Sequence, residues 1–342
     1  MKHHLIVLFL ASTAAALVVG VGVSLILPVA HLIASPAPEQ ETPIVTMKDE
    51  IIIEESPLNE SGFEGQLPLS PSATSSSPFH FDPPPLEHLA AIAGDPPVQK
   101  GEVSVRVPIL MYHQIRPTRS SFSLLDRRFS VTPESLDAQL KALLAAGYET
   151  ITPQDLTAAL TEQDGPSHLP KKPVLLTFDD GYRNQYQYAF PILKRLGAKA
   201  TFFIISQGYR WRGYMTNDMI KEVDKSGLIT IASHTQHHAM LPHYGTAARE
   251  REIGDSKKEL ETLLGHPVTS FAYPYGGWNV EISREVERAG YQLGFGVRLG
   301  SLHTPSSKFQ LRRMHVNDRE DVVALCDRFL KPLRTSHSIN EP

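Results

Sequence analysis

A single cysteine, Cys326, stands among 342 residues. One thiol excludes a disulfide framework within the chain and any zinc or iron–sulfur site built on several cysteines. Metal chemistry through imidazole stays open, because there are 15 His. An excess of charge of either sign is also missing: 33 Lys and Arg face 37 Asp and Glu, a net charge of −4. That balance is too even for a nucleic-acid partner and too weakly acidic for a chain disordered throughout. The length allows one large domain or two ordinary ones.

The absences are unevenly spread. Residues 1–34 contain one charged side chain, Lys2, and the 26 residues from Leu5 to Ala30 contain none. As a helix that run would span roughly 39 Å, enough for a hydrocarbon core of ~30 Å. A cleavable signal peptide has a shorter apolar core of ~7–15 residues and a small-residue cleavage site. Pro28 to Ala34 offers no clean site, so an uncleaved signal anchor is expected over residues 1–34. Lys2 places the N-terminus in the cytoplasm and the remainder outside, in a periplasm or at a cell surface. Residues 35–100 lack basic side chains except Lys48 and Lys100, against 11 acidic residues and 12 of the 27 Pro. This segment of charge −9 reads as a disordered, self-repelling linker, with Ile51–Ile53 as a short apolar island. Residues 101–342 carry 30 Lys and Arg and 26 Asp and Glu, and here periodic apolar segments begin.

Those segments alternate in kind. Val107–Tyr112, Tyr148–Ile151, Val174–Phe178, Ala200–Ile205, Leu228–Ala232, Thr269–Ala272 and Gln292–Val297 read as strands. Helices are expected after Thr132-Pro133 and Thr152-Pro153, and over 184–196, 217–226, 246–264, 280–289 and 318–330. The alternation predicts an α/β domain, a distorted (β/α) barrel of about seven parallel strands, with an open doubly wound sheet as the alternative. In a barrel, functional groups sit at the C-terminal ends of the strands.

Polar residues cluster at those ends. Thr177-Phe178-Asp179-Asp180-Gly181 closes one strand, and two adjacent carboxylates beside an apolar run fit a cation ligand and a free base, or else a solvated turn. Ser233-His234-Thr235-Gln236-His237-His238 closes the next but one. The four-residue spacing of His234 and His238 would put both imidazoles on one face of a helical turn, within reach of one ion. Phe271-Ala272-Tyr273-Pro274-Tyr275-Gly276 forms a Pro/Gly turn able to aim a backbone N–H into a site, and His113 ends the Pro108–Tyr112 run. Two imidazoles, a carboxylate and a spare base make up the set of a metal hydrolase.

These segments resemble the polysaccharide deacetylases of carbohydrate esterase family four, the NodB-homology domain. Thr177–Gly181 resembles the family's first motif, which implies that Asp179 is the general base and Asp180 a metal ligand. Ser233–Leu241 resembles the second, implying His234 and His238 as metal ligands. Phe271–Gly276 resembles the third, implying that the Tyr275 amide helps stabilise an oxyanion. The resemblance covers roughly residues 105–335. Two departures stand out. The third-motif Arg that orients the base is Ala272 here, so base positioning must come from elsewhere. The late Leu-x-His element carrying the general acid has only a poor match in Leu311–His315. The early Val107–His113 segment is similar to that element moved to the front, an order resembling the bacterial poly-β-1,6-N-acetylglucosamine deacetylases. His113 is therefore the expected general acid, with His315 as fallback, and the expected cofactor is a divalent ion, zinc.

The expected activity is removal of N-acetyl groups from an extracellular N-acetylglucosamine polysaccharide, with peptidoglycan, chitin oligomers and acetylated xylan as family alternatives. A non-catalytic carbohydrate-binding or envelope-organising protein, stacking sugar on Tyr273, Tyr275 and Trp278, is a second reading. A third gives the anchor and tether an assembly role. Cys326 is expected in the core, and His237, His243, His266 and His303 at the surface or in loops.

Overall fold

The computed structural model describes residues 96–161 and 167–331. The expected anchor over 1–34, and the expected linker up to residue 95, lie outside them. Among the described residues no helix is long and apolar enough to cross a membrane.

Seven parallel strands form one continuous path. In chain order they are β1 Ile109–Tyr112, β2 Pro173–Phe178, β3 Ala200–Ile204, β4 Ile229–Ser233, β5 Ser270–Ala272, β6 Leu293–Phe295 and β7 Met314–His315. Their order across the sheet is β6-β5-β4-β3-β2-β1-β7. Glu149–Thr150 pairs with the start of β2, off this path. Among the described residues the two edges meet through the bridge between Phe295 and Leu311 and a few backbone hydrogen bonds such as Arg313 N–H to Arg298 C=O at 3.0 Å, with no regular ladder, so the sheet is a half-barrel. The doubly wound alternative does not apply, because both edge strands approach the same short segment.

The strands are legible as apolar runs because both of their faces are covered. All six residues of β2 are buried. Alternate side chains divide between two clusters, as a period of two requires. Ile109, Leu175, Phe203, Ala232, Ala272, Phe295 and Leu311 fill the inner cluster. Leu110, Leu176, Phe202, Ile231 and Phe271 pack outward against helical residues such as Leu140, Val223 and Ile253. The helix Pro153–Thr161 sends Leu156, Ala159 and Leu160 into the inner cluster. It follows the short strand paired with the first residues of β2, so it stops the N-terminal end of the half-barrel and leaves the C-terminal end for chemistry.

Several expected helix ends hold. Thr132 caps Pro133–Ala145 by accepting from the Ser135 N–H, and Gly265 ends Thr246–Leu264 in the left-handed conformation. The helix expected over 184–196 divides into a π-helical turn, Gln185–Ala189, and an α-helix, Phe190–Leu196. Pro191 lacks an N–H, and the wider turn before it accommodates the gap. The last helix begins at Val322, capped by Asp321, rather than at Asp318. β7 had no sequence signal, since two residues are too few to show a period. His303 was expected in a loop or at the surface but is buried in the pair of short strands Val105–Arg106 and Leu302–His303, where its Nε2 donates to the Val107 carbonyl at 3.0 Å.

Candidate functional site

The strand ends converge as the barrel reading requires. β2 delivers Asp179 and Asp180, β4 leads into His234 and His238, β5 into Tyr275, β1 into His113, and β7 ends on His315.

Asp180, His234 and His238 form a cluster whose ligand atoms all lie within 4.8 Å of one another. Asp180 Oδ1 is 3.4 Å from His234 Nε2 and 3.2 Å from His238 Nε2. The far ring nitrogens are tied down: His234 Nδ1 donates to the Ala272 carbonyl at 2.8 Å, and His238 Nδ1 pairs with the Tyr275 hydroxyl at 2.8 Å. Such outer partners orient metal-binding imidazoles and leave Nε2 facing inward. Asp180 Oδ1 is buried without a hydrogen-bond partner. A buried carboxylate oxygen with no donor, facing two imidazole nitrogens, suits a divalent cation. Burial pushes the Asp180 carboxyl up, but His238 and His234 outweigh it and hold the group well below the usual carboxylate range. The histidines are not on a helical turn, as their spacing had suggested. They sit in an irregular turn in which Thr235 and His238 both have left-handed backbone, with φ of 64° and 62°. Two such residues fold the chain back sharply enough to bring the rings together.

Asp179 points elsewhere. Arg313 grips it with both arms of its guanidinium, Nη1 to Oδ1 at 2.6 Å and Nη2 to Oδ2 at 2.8 Å, while Nε donates to the Gly296 carbonyl at 2.7 Å. The pair is fully enclosed, with Phe203 5.4 Å from the guanidinium carbon. Burial alone would raise the carboxyl, but the Arg313 charge and hydrogen bonds hold it below its ordinary value. The arginine missing at Ala272 is thus supplied from the opposite end of the domain. Sequence reasoning weighed Leu311–His315 only for its histidine and passed over Arg313. A second residue it passed over is Gln185, whose amide donates to the backbone carbonyls of His113 at 2.8 Å and Asp179 at 2.5 Å and so fixes the two strand ends together.

His113 and His315 are neighbours on adjacent strands, with ring centroids 5.7 Å apart and Phe129 against both. His113 Nδ1 and His315 Nε2 are buried without hydrogen-bond partners. Burial pulls both rings below the ordinary imidazole value. His315 falls to about 3, pushed further by His113 and Arg128, whereas Asp180 and Asp179 oppose the fall at His113.

Of the three rings expected for sugar stacking, Tyr273 does not take part, while Tyr275 and Trp278 are half-buried. Tyr273 is buried, its hydroxyl donating to the Phe309 carbonyl at 3.0 Å. Tyr275 has φ 58° and packs its ring 4.4 Å from His238. His237 is exposed and paired with Glu252, His266 is exposed and paired with Asp224, and Cys326 is buried as expected.

The sequence profile of the polysaccharide deacetylases matches residues 167–294. YxkH of Bacillus subtilis, named as a polysaccharide deacetylase, is 34% identical over 218 residues, which make up 64% of this chain and 74% of the relative. The chain belongs to the polysaccharide deacetylase family. A poly-β-1,6-N-acetyl-D-glucosamine N-deacetylase of Staphylococcus aureus is 25% identical over 252 residues, covering 68% of this chain and 86% of that one. The structure of the Streptococcus pyogenes deacetylase PplD in complex with acetate superposes with a TM-score of 0.59 at 28% identity, over 67% of this chain and 100% of that one. As a polysaccharide deacetylase of carbohydrate esterase family four, the chain is a hydrolase acting on amide bonds. The family uses a divalent metal, and Asp180, His234 and His238 are a set that fits one.

Proposed function

We propose that this polysaccharide deacetylase removes N-acetyl groups from an extracellular N-acetylglucosamine polysaccharide, with poly-β-1,6-N-acetylglucosamine as the first candidate. The observation carrying the reading is the side-by-side arrangement of two differently held carboxylates: Asp180 against two imidazoles, and Asp179 clamped by Arg313. The early His113 and the Ala272 that replaces the third-motif arginine favour that polymer, as does the activity for which the staphylococcal relative is named.

Asp180, His234 and His238 would hold the cation. When bound, the cation, zinc in this reading, polarises the acetamide carbonyl and lowers the pKa of a water. Asp179, kept ionised by Arg313, accepts a proton from the water that attacks the acetamide carbon. The Tyr275 amide donates to the oxyanion that develops there. The carbon–nitrogen bond then breaks, His113 gives a proton to the departing sugar nitrogen, and acetate leaves. The product amine is cationic near neutral pH.

Asp179→Asn should retain metal and lose acetate release, because the amide keeps its shape but cannot accept the proton. Asp180→Ala and His238→Ala should lose metal as well. Elemental analysis of purified protein beside an acetate assay reads both, and full acetate release by the Asp179→Asn chain would sink the assignment. Acetate release from β-1,6- and β-1,4-linked N-acetylglucosamine oligomers, with and without chelator, tests the linkage and the need for metal.

The location is part of the proposal. The 26 uncharged residues from Leu5 to Ala30 support a membrane anchor, and the acidic Pro-rich segment to residue 100 supports a tether holding the catalytic domain outside the cytoplasm. Membrane fractionation followed by protease treatment of intact cells tests this.

A further inference from the structure

Beside the strand-end cluster lies a groove of about 400 Å³, within the usual ~300–1,000 Å³ of small-ligand sites. Three arginines, Arg116, Arg119 and Arg212, reach it, and no carboxylate is among its lining residues. The domain as a whole carries only four more basic than acidic side chains, so this concentration of one sign is local. Arg116 is neutralised by Asp126 at 2.7 Å and lies over the Phe122 ring, which leaves Arg119 and Arg212 as the cations facing the groove. Both are exposed.

The walls that carry these two arginines are built. The Arg212 loop is pinned to the chain just after Asp180 by Arg183 N–H to Gly213 C=O at 2.8 Å and Met215 N–H to Gly181 C=O at 2.9 Å. Tyr182 and Tyr214 pack at 5.0 Å across that seam. Opposite, Arg119 opens a turn closed by the Phe122 N–H on its carbonyl at 3.1 Å. The groove adjoins the catalytic end: among its lining residues Gln114 follows His113 and Tyr182 lies two residues after Asp180. Aromatic rings suit sugar faces, and two cations without a facing carboxylate suit an anion.

We propose that the groove binds the part of the polysaccharide next to the sugar being deacetylated, and that this part carries an anionic substituent, a carboxylate or a phosphodiester, met by Arg119 and Arg212. The inference rests on the deacetylase reading and qualifies its first candidate: an unsubstituted poly-β-1,6-N-acetylglucosamine offers no such charge, so that polymer would satisfy the groove only where it carries an anionic substituent. It also gives the groove a sense of direction. A sugar already deacetylated is cationic, and the two arginines disfavour its re-entry.

The test uses the full chain and three probes of similar length: a neutral N-acetylglucosamine oligomer, a glycan alternating N-acetylglucosamine with N-acetylmuramic acid, and an N-acetylglucosamine oligomer bearing a phosphodiester. Acetate release gives kcat/KM for each. For at least one anionic probe the ratio to the neutral oligomer should exceed one, and which probe does so identifies the source of the charge. In the Arg119→Gln/Arg212→Gln double variant that ratio should fall about tenfold, chiefly through KM, as expected for two exposed charge contacts. The Arg119→Lys/Arg212→Lys variant should restore most of it, and 0.5 M salt should erase it in the wild type. Equal ratios in wild type and double variant, or a wild-type preference for the neutral oligomer, overturn the inference and leave the deacetylase reading intact. Failure of the wild type to release acetate from any probe overturns the deacetylase reading instead.

Discussion

A carboxylate enclosed as completely as Asp179 would ordinarily take up a proton, and Arg313 is what prevents it. The two hydrogen bonds at 2.6 and 2.8 Å match the planar fork of a guanidinium to both carboxylate oxygens. Replacing Arg313 with Met should leave a buried charge without a partner, at a cost of about 3–5 kcal/mol to the fold. Urea unfolding at neutral pH measures this, and an unchanged midpoint would show that the clamp is not what steadies Asp179. Arg313→Lys keeps the charge but loses the fork. It should recover stability in part while acetate release stays at least tenfold below wild type, because the carboxylate proposed as the base is no longer held in one orientation. The sequence displayed the carboxylate of this pair and hid its partner. Asp179 sits in a recognisable strand-end motif, whereas Arg313 comes 134 residues later in a stretch without one. The imidazoles were visible for a related reason and misread in their geometry, since spacing reveals proximity but not left-handed backbone.

Among the elements, the long buried strands were legible and the short ones were not. β2 shows as a continuous apolar run because helices cover one face and the inner cluster the other. β7 exists only through its pairing with β1, which no local pattern encodes. Two connections between elements lend themselves to measurement. Gly276 has φ +67°, and a Cβ there would run into the Val297 side chain. Gly276→Ala should destabilise the domain by roughly 1–3 kcal/mol and displace the neighbouring Tyr275 amide, so thermal midpoint and acetate release should fall together. The second connection is Asp318, which accepts from the Thr132 N–H at 2.7 Å and hydroxyl at 2.9 Å at the start of helix Pro133–Ala145. Burial pushes the Asp318 carboxyl up, but the Thr132 backbone N–H and the Ser135 and Thr132 side chains outweigh it, so its folded pKa lies below the ordinary value. A depressed carboxyl pKa stabilises the fold above the unfolded value of ~3.9, and that contribution is lost as pH falls through the folded value. Asp318→Asn should therefore flatten the decline in stability between pH 5 and 3 in urea titrations, and an unaltered decline would remove Asp318 from the account.

At the scale of the whole molecule, the half-barrel is self-contained. Its inner and outer clusters draw on residues from Val105 to Phe329, and the N-terminal stop is the domain's own helix Pro153–Thr161. A chain beginning at residue 96 should therefore fold cooperatively and release acetate from soluble oligomers at a rate within about twofold of the full chain, while losing any membrane location. A truncated chain that is folded but inactive would show that the preceding segment contributes to catalysis and not only to placement.

The segment from Leu311 to His315 does two things at once: it bridges the edges of the half-barrel and brings Arg313 to Asp179. Because a ribosome makes the chain in order, this piece is among the last of the domain to appear. A nascent chain with β1 through β6 already formed would still have a gap in its wall and an unclamped Asp179. Leu311 bridges the wall and Arg313, two residues on, clamps Asp179, so under the proposed mechanism acetate release should not precede completion of the domain.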